Sequence, residues 1–274
     1  MNSNRQKYYP TIIQAAHLVV LYIFIQTIID FPLAIIDYYK DTEYLYNPLK
    51  KILLGVGSVL FILWYGIRKT KNKILEVFPM KFFNPLILVP VIIFLFADHI
   101  LLDEVNMHVE KAIPPPPWFY ELFNRIFESD YGWMGAFLKV VIIAPVVEEL
   151  IFRGIIMHGF MRNYPKFIAI FFSALLFALF HLNPWQFSAT FILGLLLGWV
   201  MVRTRNIFLS ILIHALNNFI VLLTITYWAE IKSHPIMLME KQSLLYSSGL
   251  TILFSLVLIY LFSGRITKSK SKEK

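Results

Sequence analysis

Two adjacent carboxylates stand in an apolar run, Pro145-Val146-Val147-Glu148-Glu149-Leu150-Ile151-Phe152-Arg153-Gly154. From Met134 to Met157 the only other charge is Lys139. A charged side chain at the bilayer centre costs roughly 3 kcal/mol on insertion scales, so a pair of them must be used for something. On a helix Glu149 and Arg153 are four apart and share a face, where they can pair and offset each other's burial. Glu148 points about 100° away and lacks that partner. A carboxylate so placed suits a general base for water. The alternative is a Glu-Arg clip that holds helices together, which accounts for Glu149 and Arg153 but needs only one carboxylate.

Further polar groups recur in later apolar runs. Phe177-Ala178-Leu179-Phe180-His181 puts one histidine late in a helix, and His214-Ala215-Leu216-Asn217-Asn218 sets His214 and Asn218 four apart on one face. Gly194 and Gly198 have the small-residue spacing that lets two membrane helices approach closely. Pro145 removes the helical bond to the Val141 carbonyl and should kink or widen its helix beside Glu148, giving water a place to sit. Glutamate, histidine and asparagine can activate water and hold an oxyanion without a covalent nucleophile. Ser188 and Ser210 are present, but no G-x-S-x-G or Ser-Lys arrangement surrounds either.

The elements that must position these groups are transmembrane helices. The 274 residues are 58% hydrophobic and 16% aromatic, with mean hydropathy +0.66, far from a soluble globular domain. The expected fold is all-α: a polytopic integral membrane protein with about eight spans, near 11–33, 50–67, 86–102, 133–160, 166–182, 186–202, 207–228 and 244–263. The fourth to seventh form the catalytic bundle. Three regions follow: residues 1–132 with the first spans, a polyproline loop and an amphipathic helix; a core at 133–228; and residues 229–274 with a last span and a basic tail. The basic amino end before the first apolar run resembles a signal peptide, but no small-residue cleavage site follows, so a retained span is expected.

Net charge is +8, and its distribution points to a membrane surface and not to nucleic acid. Loops on the side of both termini hold 16 Lys and Arg against 7 opposite, which places both termini in the cytoplasm of a multi-pass cell-membrane protein, against anionic lipid. The prolines at 114–117 should act as a stiff spacer. The residues Trp118, Phe119, Leu122, Phe123, Ile126 and Phe127 after them have the spacing of a surface helix. The turn Asn183-Pro184-Trp185 should dip into the headgroups. Asp98 with His99, and Asp30 before Pro32, fall near span ends and should snorkel to the interface. Counted at about 1.5 Å per residue from the cytoplasmic ends, Glu148, Asn218, His181 and His214 lie at depths that can meet near mid-membrane.

Glu148-Glu149-x-x-x-Arg153, Phe177-x-x-x-His181 and His214-x-x-x-Asn218, in this order, resemble the three motifs of the CAAX protease and bacteriocin-processing family, membrane proteases related to the type II CAAX prenyl endopeptidase. The resemblance covers about residues 133–228. It implies a bundle of about eight helices and an intramembrane endopeptidase acting on a peptide or lipidated protein. It also implies roles: Glu148 and His181 activate water, His214 and Asn218 hold the oxyanion, and Glu149 with Arg153 supports them. Some relatives process prenylated proteins, while others resemble bacteriocin maturation or immunity proteins. Members have been described as metalloproteases and as glutamic proteases, and Glu148, His181 and His214 could form a zinc site. The absence of H-E-x-x-H and the asparagine four after His214 favour a reading without cofactor. The rival readings are a non-catalytic scaffold or immunity protein using the same helices to bind a partner, and a proton-coupled transporter, against which the lack of paired broken helices counts.

Overall fold

The computed structural model describes residues 8–42, 44, 47–119, 121, 132–234, 236–237 and 239–264. Its regular elements are helices, six of them long and apolar enough to cross a membrane. These are α1 (Ile12–Lys40), α2 (Pro48–Thr70), α3 (Leu88–Ala112), α6 (Pro184–Thr204), α7 (Ile207–Thr226) and α8 (Lys241–Phe262). Two expected spans depart from that pattern. Residues 132–163, α4, alternate between α-helix and π-helix, with π segments at Phe137–Ile143 and Leu150–Ile156. Helix α5 (Lys166–Phe180) has only 15 residues, about 22 Å at 1.5 Å per residue against a hydrocarbon core of ~30 Å.

Sequence explains the widening of α4. The Ala144 N–H bonds the Lys139 carbonyl, five residues back. In that pattern the next donor would be residue 145, facing Val140, but proline has no N–H. The lone Val140 carbonyl is taken instead by the Asn218 side chain, whose Nδ2 donates at 2.9 Å. A polar residue on α7 thus closes a gap that Pro145 opens in α4, as backbone groups inside a membrane require.

Helix α5 stops early because the chain turns at once. Leu182 takes φ 50°, and the Asn183 side chain accepts from the Trp185 N–H at 3.0 Å to start α6. The Trp185 indole donates to the Ile113 carbonyl at 2.7 Å, tying this hairpin to the end of α3. Its two helices touch at Gly194, where a Cβ would lie 2.9 Å from Ala174 Cα and Cβ. On α8, Ser248, Ser255 and Ile259 are buried, seven and four residues apart on the face that packs on α3. At the opposite end an antiparallel bridge joins Met80 to Asn206.

Outward faces carry Val20, Phe24 and Phe31 of α1, Leu53 and Leu60 of α2, and Leu253 and Phe254 of α8. Such surface is suited to lipid, and the chain is a multi-pass membrane protein. One expectation is corrected. The third span runs from Pro85 to Ala112, well past residue 102, so Asp98 is buried at its middle and does not snorkel. Residues Pro114–Pro116 are non-helical, as expected. The helix expected after them falls, beyond Phe119 and apart from Glu121, outside the described residues, as do the basic amino end 1–7 and the tail 265–274.

Candidate active site

Glu149 and Arg153 leave the same face of α4. Arg153 Nη1 donates to Glu149 Oε1 at 2.8 Å, and both side chains are wholly buried. Arg153 Nη2 donates to the Gly194 carbonyl at 3.1 Å, which the close α5–α6 packing brings within reach. The guanidinium lies over the Phe177 ring at 4.5 Å. The buried cation therefore has a carboxylate, a carbonyl and an aromatic face as neighbours, the surroundings that burial of an ion demands.

Helix α7 adds His214, which joins both glutamates. Its Nδ1 is 3.0 Å from Glu149 Oε1, and its Nε2 is 3.8 Å from Glu148 Oε2. A carboxylate oxygen accepts, so Nδ1 is the donor and the tautomer is fixed from the Glu149 side. The Nε2 to Glu148 separation is too long for a direct hydrogen bond and matches two groups that share a third.

Glu148 points elsewhere, as its position one residue before Glu149 predicts. It borders a cavity of ≈ 500 Å³ formed with Lys139, Ile143, Ala144 and Val147 of α4, Phe180 at the end of α5, and residues of α1 and α2. The α1 wall holds Tyr22, Gln26 and Asp30, four residues apart and hence on one face. Gln26 Nε2 donates to the Tyr22 hydroxyl at 3.2 Å, and Gln26 Oε1 is buried without a partner. Asp30 thus lines this cavity, where an interfacial position was expected.

His181 caps the end of α5. Its Nδ1 lies 2.9 Å from the Phe177 carbonyl, so Nδ1 carries the proton and a neutral ring leaves Nε2 as an acceptor. No hydrogen bond joins His181 to either glutamate among the described residues; its ring meets Phe177 edge-on at 5.0 Å and Phe180 at 5.8 Å. Phe177 also meets His214 edge-on at 5.5 Å. It touches Arg153, His181 and His214 alike, a role that the motif spacing did not disclose. Asn218 accepts from Asn217 Nδ2 at 3.1 Å and keeps one Nδ2 hydrogen beyond that given to Val140.

The structure thus brings Glu148, Glu149, Arg153 and His214 into direct register, places His181 behind a shared phenylalanine, and bonds Asn218 to α4 itself. Among the described residues no group of three His, Asp or Glu side chains is placed to hold one metal ion. Three groups were outside the expected set: Phe177 as the packing hub, the Gly194 carbonyl, and the polar face of α1. Only the last had a signal in sequence, the spacing of Tyr22, Gln26 and Asp30 in an apolar helix.

Comparisons with known proteins bear on the same segment. A relative, the UPF0177 protein YajF of Lactococcus lactis subsp. lactis (strain IL1403), is 27% identical over 207 residues, covering 70% of this chain and 94% of that protein. No solved structure matches. Residues 130–220, a third of the chain and the part that holds Glu148, Glu149, Arg153, His181, His214 and Asn218, match the family model "Type II CAAX prenyl endopeptidase Rce1-like", and the family resemblance carried by the three motifs is thereby shown.

Proposed function

We propose that this protein is an intramembrane endopeptidase that hydrolyses a peptide bond in a membrane-associated or lipidated substrate, using water activated by glutamate. The observation that carries the proposal is that His214 spans the adjacent pair, Nδ1 at 3.0 Å from Glu149 and Nε2 at 3.8 Å from Glu148, while Glu148 borders a cavity of ≈ 500 Å³. A clip alone would leave Glu148 without a purpose. A hydrolase uses both carboxylates, one to react and one to hold the imidazole.

In the reaction Glu148 takes a proton from water, the hydroxide adds to the carbonyl carbon of the scissile bond, and the carbonyl oxygen becomes an oxyanion. Asn218 donates to that oxygen with the hydrogen not given to Val140, and His214 donates through Nε2 when the ring carries both protons. The proton held by Glu148 passes to the leaving nitrogen as the C–N bond breaks. His181, with Nε2 as acceptor, assists Glu148 in orienting the water. Glu149 and Arg153 hold the His214 ring. Each oxyanion donor in a dry site contributes about 3 kcal/mol. The reaction is written without a metal: His214 Nδ1 is engaged by Glu149 and His181 Nδ1 by the Phe177 carbonyl.

Substrates are peptides or lipidated proteins presented at the membrane, the class named in the matching family's description. The largely apolar cavity walls, Ile23, Val56, Val59, Leu60 and Phe180 among them, suit such chains. Both termini lie in the cytoplasm, and the basic loops hold the protein against anionic lipid. The test is incubation of purified protein with lipidated and unlipidated peptides, read by mass spectrometry beside the Glu148→Gln variant. Cleavage by the wild type alone supports the reading. Equal cleavage by both defeats it, and a Glu148→Gln protein that keeps its cellular role would favour the scaffold.

A further inference from the structure

A second buried carboxylate lies outside the candidate active site. Asp98 on α3 is thirteen residues from Pro85 and fourteen from Ala112, the ends of a 28-residue span, so it stands at mid-membrane. It is 8% exposed, and among the described residues no hydrogen bond or ion pair reaches its carboxyl. It opens on a cavity of ≈ 420 Å³ lined otherwise by Phe94, Ile170, Trp199, Leu256 and further aliphatic side chains of α6 and α8. A second cavity of ≈ 490 Å³ shares Trp199 and Leu256 and continues past Leu253 and Val257 to Tyr260. The two form a groove between α6 and α8, and its outer rim is bare: Leu253 is 62% exposed and Val257 56%.

We infer that this groove docks a transmembrane helix of a partner protein bearing a lysine or arginine at mid-membrane, with Asp98 as its counter-ion. An ionisable group at that depth is costly, and an opposite charge brought beside it offsets part of the cost for both. Lipid tails match the apolar walls, but lipid polar groups stay at the interface, so lipid supplies no donor at the level of Asp98. A basic side chain on a spanning helix does. A helix is ~10 Å across, too broad for cavities of this size. The partner therefore lies along the outer face of α8 and sends one long side chain inward, its methylenes against Leu256 and Trp199 and its charge at Asp98.

The test uses the full-length protein in phosphatidylcholine vesicles with two synthetic polyleucine peptides of about 20 residues, one with a central lysine and one with leucine there. Association is measured by energy transfer. The lysine peptide is expected to bind about tenfold more tightly than the leucine peptide. Asp98→Asn should remove the preference and Asp98→Glu should retain it. Val257→Trp, which fills the rim and leaves Asp98 in place, should weaken binding of the lysine peptide. Equal binding of the two peptides to the wild type, the result if lipid alone covers the groove, overturns the inference. So does a preference that survives Asp98→Asn.

Discussion

Asn218 Nδ2 stands 2.9 Å from the Val140 carbonyl, an acceptor that Pro145 leaves without its backbone donor. The residue that distorts α4 and the residue that repairs it are thus on different helices. Restoring an N–H with Pro145→Ala lets α4 satisfy Val140 internally and frees Asn218. Thermal stability in detergent should rise, by up to about 3 kcal/mol on helix propensity. The rate of cleavage should fall, about a hundredfold if Asn218 shifts by ~1 Å. Measuring melting temperature and turnover on the same preparations checks both signs.

The two glutamates should respond differently to the same change. Glu148 is bonded to no structural group, so Glu148→Gln should abolish hydrolysis and leave the melting temperature within about 1 °C, since surface-like substitutions cost under ~0.5 kcal/mol. Glu149→Gln strips the wholly buried Arg153 of its carboxylate. Loss of one partner of a buried pair costs about 3–5 kcal/mol, which a thermal melt would register as a large drop. Comparable losses of stability in the two variants would count against their separate roles.

At Gly194 an added methyl would sit 2.9 Å from Ala174 Cα and Cβ. Gly194→Ala should push α5 and α6 apart, at a cost of about 1–3 kcal/mol for overpacking, and draw the Gly194 carbonyl away from Arg153. Gly249, where a Cβ meets nothing within 4 Å, is the control: its alanine variant should melt as the wild type does.

Chelation separates the chemistries. If water is activated by Glu148 alone, 1,10-phenanthroline should leave the initial rate of peptide cleavage unchanged, and added zinc should not raise it. A rate that falls with chelator and returns with zinc contradicts the metal-free reaction.

Orientation can be read from single thiols, because the sequence has no cysteine. In intact cells an impermeant maleimide should label Lys111→Cys, and it should label Lys73→Cys only after permeabilisation. The reverse pattern would invert the topology.

Much of this arrangement is written locally in the chain. Glu149 and Arg153 pair because they are four residues apart, and the pairing survives the π segment that begins at Leu150. Pro145 announces a widened helix through its missing donor. What local spacing does not encode is the partner across space. Nothing within α7 indicates that His214 meets both glutamates, or that the second acceptor of Arg153 is a glycine carbonyl on α6. Phe177 looks like one more apolar residue until four groups are seen around it. Asp98 was misplaced for a related reason: its span continues through Asp103, Glu104 and Lys111 to Ala112, charges that a hydropathy reading takes as the end of the helix.

The wall that faces Glu148 across the cavity comes from Tyr22, Gln26, Asp30, Val56 and Val59, all well before residue 130, where the family match starts. Selection of what enters and the breaking of bonds are therefore assigned to different stretches of polypeptide. Evolution, or an engineer exchanging the first two helices between relatives, can redirect such a molecule to new cargo while the residues that do the cutting stay untouched.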